Sequence, residues 1–251
     1  MRTIMEYTVP RPPESGSFGG LAYELFLPFA DGPAPAVVIL HGAGSRKENH
    51  IDFARRAAGH GFVALTFDNR GHGDSEGEMG PGVIADIQRL VAHLAERPEV
   101  DETKIAVRGS SMGGQLAIHV AAVSDRIHAV IAICPAGEHM VVADIRAVAQ
   151  GKPPRPDSAL ASMRIDAPAM TAWLEEHDVR DAVRLLGSKP LLLVHARGDE
   201  VVPYTFSEEL YELAEEPKRL LLLDGGHHRS VQHDPEIQGE TLRWLERVLK
   251  S

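Results

Sequence analysis

Gly109-Ser110-Ser111-Met112-Gly113 stands between a short apolar run, Lys104 to Arg108, and a helix-forming run, Gln115 to Val123. A Gly-x-Ser-x-Gly pattern means little alone. Between a strand and a helix it specifies a tight turn with a serine at its tip. Such a turn holds Ser111 in a strained backbone conformation and lifts its Oγ over the end of the sheet. Gly109 and Gly113 follow from the same geometry, because the strand and helix backbones come too close there for a Cβ. The helix points its N-terminus at the serine, so the Met112 amide faces any negative charge that forms beside it. A glycine-rich turn with an ordinary helix-capping serine would carry the same letters, so partners elsewhere in the chain must decide.

From Ala36 onward, strands and helices alternate. Ala36 to Leu40, Phe62 to Phe67, Ala129 to Ile133 and Pro190 to His195 are largely apolar, as strands buried on both faces must be, and Arg219 to Leu223 reads as a final strand. Glu48 to His60, Val83 to Arg97, Phe206 to Ala214 and Pro235 to Leu249 read as helices, with Val83, Ile87, Leu90, Val91 and Leu94 sharing one face. This alternation predicts an α/β fold, a mostly parallel sheet of about eight strands with helices on both faces. Thr3 to Val9 and Leu21 to Leu27 alternate apolar and polar residues and predict an antiparallel hairpin, with Pro10 to Gly20 as its loop.

Residues 135–188 break the rhythm. They carry Lys152-Pro153-Pro154-Arg155-Pro156, short helical pieces at Thr171 to His177 and Val179 to Leu186, and no clear strand. They are expected to form a small helical lid over the carboxyl end of the sheet, where ligands bind in open α/β folds. Residues 1–134 and 189–251 then make up the core.

Composition narrows the function classes. A chain of 251 residues with 43% hydrophobic and 25% charged residues can bury a full core in one large α/β domain. The net charge of −10 disfavours nucleic acid and anionic membranes as partners. No stretch approaches the length of a membrane span, and Met1 to Tyr7 has no apolar signal core. The single cysteine, Cys134, excludes an internal disulfide and ends an apolar run, which predicts a small buried residue. A cytoplasmic protein acting on a small molecule is expected. The oligomeric state stays open, a homodimer among the options.

A serine hydroxyl is a poor nucleophile near neutral pH. It needs a base within hydrogen-bond reach, and that base needs a carboxylate to fix its tautomer. In this architecture the three arrive in the order Ser, Asp, His, each beyond the carboxyl end of a strand. Asp199 lies in Gly198-Asp199-Glu200-Val201-Val202-Pro203, just past a buried strand, and Glu200 is its weaker alternative. The base comes from Asp224-Gly225-Gly226-His227-His228-Arg229, after the last strand. His228 is chosen for its Gly-x-x-His spacing from Gly225, with His227 the competitor. Two amide donors are needed for an oxyanion: Met112 N–H, and Ala43 N–H from the bend His41-Gly42-Ala43-Gly44. His41 is expected to brace that bend; His50, His72, His93 and His119 are expected to be structural or exposed. The loop from Asp68 to Ser75 matches no metal-ligand spacing and is expected to be a rigidifying polar network. No dinucleotide or phosphate-loop fingerprint occurs, so neither cofactor nor metal is expected.

Five blocks in this order, His41-Gly42-Ala43-Gly44, Phe67-Asp68-Asn69-Arg70-Gly71-His72-Gly73-Asp74-Ser75, Gly109-Ser110-Ser111-Met112-Gly113-Gly114, Gly198-Asp199-Glu200-Val201-Val202-Pro203 and Gly225-Gly226-His227-His228, resemble the signature of the α/β-hydrolase superfamily. They are similar in particular to small esterases of the feruloyl/cinnamoyl-esterase type and to prolyl-oligopeptidase-type catalytic domains. The resemblance implies Ser111 as nucleophile, Asp199 as acid, His228 as base, and Ala43 and Met112 as amide donors. It implies a serine hydrolase of carboxylic esters. A peptidase or amidase of the same mechanism is the alternative, with Asp144, Asp157 and Asp166 available in the lid to meet an amine. A slowly turning small-molecule receptor is the third reading.

Overall fold

The computed structural model describes residues 11–29, 32–154 and 158–250. Eight strands form one sheet: β1 (Glu14–Phe18), β2 (Leu21–Phe26), β3 (Ala34–Leu40), β4 (Val63–Phe67), β5 (Val100–Ser110), β6 (Ala129–Ile133), β7 (Leu191–Ala196) and β8 (Lys218–Leu223). Their order is β1-β2-β4-β3-β5-β6-β7-β8. β1 pairs antiparallel with β2 and β2 with β4; every other pairing is parallel.

The hairpin departs from its sequence expectation. Thr3 to Val9 lies outside the described residues, and the segment expected as a loop contains β1. Phe18 pairs with Leu21, so Gly19-Gly20 is the whole turn, with φ of 59° and 81°. Two successive left-handed residues make the tight hairpin turn whose twist suits antiparallel strands, and glycine adopts it without strain. β1 escaped the pattern because Glu-Ser-Gly-Ser-Phe is a mostly exposed edge strand with no apolar face to alternate.

The parallel strands show why their sequences are apolar throughout. In β3, Ala36, Val38 and Leu40 enter one hydrophobic cluster while Val37 and Ile39 enter the other. In β5, Ile105 and Val107 face the first and Ala106 the second. Side chains alternate between faces, and both faces are covered. One layer contains α1 (Ile51–Gly59) and α8 (Pro235–Leu249), through Phe53, Ala57, Leu242, Trp244 and Leu245. The other contains α2 (Val83–Ala95), α3 (Met112–Ala122) and α7 (Tyr204–Leu213), through Ile87, Leu90, Leu116, Val120 and Leu210.

The segment between β6 and β7 holds α4 (Glu138–Ala149), α5 (Ala167–Glu176) and α6 (Val179–Arg184). α4 was not anticipated. Its exposed positions, Ala143, Asp144 and Arg146 among them, blur the apolar stripe that marks a core helix. This segment is tied to the loop after β4. Arg164 N–H donates to Gly71 O at 2.9 Å, Met79 N–H to Arg164 O at 3.0 Å, and the Arg164 guanidinium to Ser75 O at 2.6 Å. That loop is itself fixed by the polar network its sequence suggests. Lys47 Nζ, Lys47 N–H and Asp74 N–H all donate to the buried Asp68 carboxylate. Among the described residues no helix is long and apolar enough to cross a membrane.

Candidate active site

Ser111 stands between β5 and α3 at φ 54°, ψ −121°. This region is costly for any residue with a Cβ, on the order of 1–3 kcal/mol, and persists only where the surroundings enforce it. Here they do. Ser111 N–H donates to Ile133 O at 2.9 Å, and Ser111 O accepts from Gly114, Gln115 and Ala136 amides. A Cβ on Gly109 would lie 2.0 Å from Gly113 O, and one on Gly113 would lie 2.3 Å from Leu40 O. Both glycines are therefore required by close backbone approach. Met112 is the first residue of α3, where helix amides have no preceding carbonyl to bond.

Asp199 and His228 come together. His228 Nδ1 lies 2.7 Å from Asp199 Oδ2, and both side chains are nearly or fully withdrawn from solvent, at 8% and 0% exposure. His227, at 79% exposure, points instead toward Glu200, with Nδ1 3.7 Å from Oε2. Glu200 Oε2 also accepts the His228 amide at 3.1 Å, clamping the His228 loop to the Asp199 loop. Burial alone would raise the Asp199 pKa. Hydrogen bonds from His195, His228 and the amides of Val202 and Val201 outweigh it and hold the carboxyl well below the usual carboxylate range. Asp199 is thus a fixed negative charge beside Nδ1, which favours the tautomer with its lone pair on Nε2. Among the described residues no hydrogen bond joins Ser111 Oγ to His228; such contacts often close only when substrate is bound.

Ala43, Ser111 and Met112 line one cavity of about 130 Å³. Its far walls come from α3 and from the segment between β6 and β7: Leu116, Val141, Ile145, Leu160, Met170, Trp173 and Leu174. Among the described residues, Asp144 is the only carboxylate lining it. Asp166 does not reach it, since its side chain caps α5 by accepting from Ala169 N–H. Asp157 lies outside the described residues. The bend bearing Ala43 is braced from behind. His41, fully buried, has Nδ1 2.8 Å from Gly42 O and accepts the Asn69 amide on Nε2 at 2.9 Å. Burial, reinforced by His72, lowers its pKa to about 4, so the ring is neutral and serves as a strut.

Sequence reading missed three residues around this site. His195, on β7, sits beneath Asp199 with Nε2 3.2 Å from Oδ2, and its other nitrogen lies 2.6 Å from Ser207 Oγ. Arg108, on β5, is fully buried with its guanidinium 3.9 Å over the Phe53 ring, and donates to Gln232 O at 3.1 Å. Gln232 Oε1 accepts from Ser110 Oγ, so the strand before the elbow grips the loop that follows His228. Cys134 is buried as expected, but its Sγ lies within 4.8 Å of ligand atoms of Asp199 and His228. A polar residue inside an apolar strand was the available signal for His195 and Arg108. Cys134 gave none, because its neighbours arrive from loops far away in the chain.

The sheet order, the strained serine and its position before α3 define an α/β hydrolase. The family described as serine aminopeptidase, S33, matches residues 31–178, more than half the chain, and the chain belongs to it. YfhR of Escherichia coli K12, itself uncharacterized, is 29% identical over 213 residues, covering 81% of this chain and 67% of that protein. Among solved structures, the hypothetical protein PA2218 of Pseudomonas aeruginosa superposes with a TM-score of 0.80 at 20% identity, over 98% of this chain and 96% of that one. Est1E of Butyrivibrio proteoclasticus, solved with ferulic acid bound, superposes with a TM-score of 0.75 at 20% identity, over 95% of this chain and all of that one. These likenesses establish the fold.

Proposed function

We propose that this hydrolase cleaves carboxylic esters of small to medium acyl groups through a covalent acyl-enzyme, with Ser111, His228 and Asp199 as triad and the Ala43 and Met112 amides as oxyanion donors. The observation that carries the reading is the 2.7 Å Asp199–His228 pair in an elbow fold whose strained Ser111 opens on an apolar cavity. His228 Nε2 takes the Ser111 proton as Oγ attacks the ester carbonyl. The negative charge that moves onto the carbonyl oxygen is met by the two amides. Collapse expels the alcohol, which takes the proton from His228. Water then attacks the acyl-enzyme by the same route, returning the proton to Ser111. No cofactor enters these steps.

We assign the segment 135–188 as the lid that shapes the acyl pocket. A dry apolar cavity of about 150 Å³ accommodates benzene, so about 130 Å³ suits an acyl chain of roughly four to six carbons. The preference for esters over peptides rests on the same wall. An aminopeptidase must pair the substrate ammonium with acid, and among the described residues Asp144 is the single carboxylate in an otherwise apolar and neutral lining.

The test compares p-nitrophenyl esters of graded chain length with aminoacyl p-nitroanilides, for wild type and Ser111→Ala. The expected result is multiple-turnover ester cleavage with a burst of nitrophenol, far slower anilide cleavage, and loss of about 10⁴-fold or more in kcat on removing the serine. Faster anilide cleavage would establish the peptidase reading. A stoichiometric adduct without turnover would establish the receptor reading.

A further inference from the structure

We propose that Cys134, Asp199 and His228 form a binding site for a thiophilic divalent cation, zinc above all, and that its occupancy switches the enzyme off. The three residues lie beyond the carboxyl ends of β6, β7 and β8, and their Sγ, carboxylate oxygen and imidazole nitrogen all fall within 4.8 Å of one another. This mixed sulfur, oxygen and nitrogen set is one that zinc accepts. In a tetrahedral zinc site such atoms stand roughly 3.3–3.7 Å apart, as bond lengths of about 2.0–2.3 Å require. The His228–Asp199 pair is already closer than that at 2.7 Å, so the sulfur must approach by about 1 Å and the pair must open slightly. Entry is through the His228 loop, where 224–227 are exposed.

The charge at the site favours a cation. The carboxylates of Asp199 and Glu200 beside the sulfur give the site a negative field that attracts a divalent ion. The exchange balances simply. The cation bonds to the Cys134 sulfur, which loses its proton to solvent, and to His228 Nδ1, whose proton is replaced on Nε2. Asp199 exchanges its hydrogen bond for a metal bond.

The inhibitory consequence rests on the triad reading. With the metal on Nδ1, Nε2 carries a hydrogen and has no lone pair to accept the Ser111 proton. Serine hydrolysis stops, although the nucleophile, the amide donors and the acyl cavity are untouched.

Cobalt(II) tests the site without reference to activity. Cys134 is the only cysteine in the chain, so an intense near-ultraviolet thiolate-to-cobalt charge-transfer band in the full-length wild-type protein can come from nowhere else. The expected result is such a band saturating at one equivalent, removed by zinc and absent in Cys134→Ser. Zinc titration of ester hydrolysis should then give inhibition reversed by a chelator. The half-inhibiting concentration, measured against each variant's own metal-free rate, should rise at least about tenfold in Cys134→Ser and stay unchanged in His227→Ala. No cobalt–thiolate band overturns the proposal, as does inhibition that His227→Ala abolishes and Cys134→Ser leaves intact. If the band forms but the metal-free protein hydrolyses no ester, the metal site stands and the triad reading fails.

Discussion

His195 Nε2 lies 3.2 Å from Asp199 Oδ2, the oxygen that His228 Nδ1 meets at 2.7 Å. Asp199 is thus held between two imidazoles, that of His195 fully buried and that of His228 nearly so. Because His195 is fully buried and also contacts Ser207 Oγ and Val202 O, its ring cannot swing away. On the proposed triad, it is a positioning residue that keeps the carboxylate aimed at His228. In His195→Ala, kcat for ester cleavage should fall about 10–100-fold, the range found when orienting partners are removed, with KM changed by no more than about twofold. His195→Gln retains a donor and should recover part of the loss. Equal losses in both variants, tracking a fall in folded fraction, would reduce His195 to a packing role.

The choice between adjacent histidines has a sharp kinetic signature. His228 is withdrawn from solvent against Asp199, whereas His227 is 79% exposed beside Glu200. His228→Ala should lose about 10⁴-fold in kcat, while His227→Ala should stay within about threefold of wild type. The comparison is read from kcat on a p-nitrophenyl ester. A dead His227→Ala with an active His228→Ala would reverse the assignment.

Much of the frame was legible because burial on both faces forces continuous apolar runs. β3, β4, β6 and β7 each coincide with such a run to within two residues, the half-buried edge strand β8 coincides with an apolar run as well, and α8 spans the segment read as the closing helix. The serine elbow was legible for a different reason: Gly109 and Gly113 are dictated by backbone contacts that any such turn must make. What escaped depends on contacts between distant loops. Nothing near Cys134 in the chain announces that residues 65 and 94 positions later will surround it. The cavity beside Ser111 was equally hidden, since its walls join Leu116 of α3 to Trp173 of α5 by tertiary packing alone. β1 escaped because an edge strand that buries little has no pattern to display.

The cavity sets a chain-length limit that one substitution can move. Val141, on α4, is half-buried and lines the cavity, so a larger side chain there can fill space without displacing the packed strands. Val141→Trp should cut kcat/KM for a p-nitrophenyl hexanoate about tenfold, since losing room for one or two methylenes costs roughly 1–3 kcal/mol. The acetate should change by less than about threefold. Steady-state rates across the chain-length series check this. A uniform loss for all chain lengths would mean that Val141 shapes the approach to Ser111 and not the acyl end.

Buried histidines give the fold a pH limit distinct from that of catalysis. His41 has its pKa lowered from 6.5 to about 4, chiefly by burial, and His50 and His72 are lowered by the same cause. For a group whose folded pKa is depressed, the unfolded chain binds more protons between the two values, so its stabilisation is complete above pH 6.5 and is lost as pH falls through 4. A shift of this size corresponds to roughly 3 kcal/mol from His41 alone. Asp199, also depressed, contributes its loss only below about pH 4, where free carboxyls begin to protonate, so the two windows separate. Urea midpoints measured between pH 7.5 and 4.5 should fall steeply below pH 6.5 in the wild type. They should fall less steeply in His41→Asn, which cannot titrate there and keeps an acceptor for the Asn69 amide. Parallel curves for the two proteins would show that His41 is not a source of the acid sensitivity.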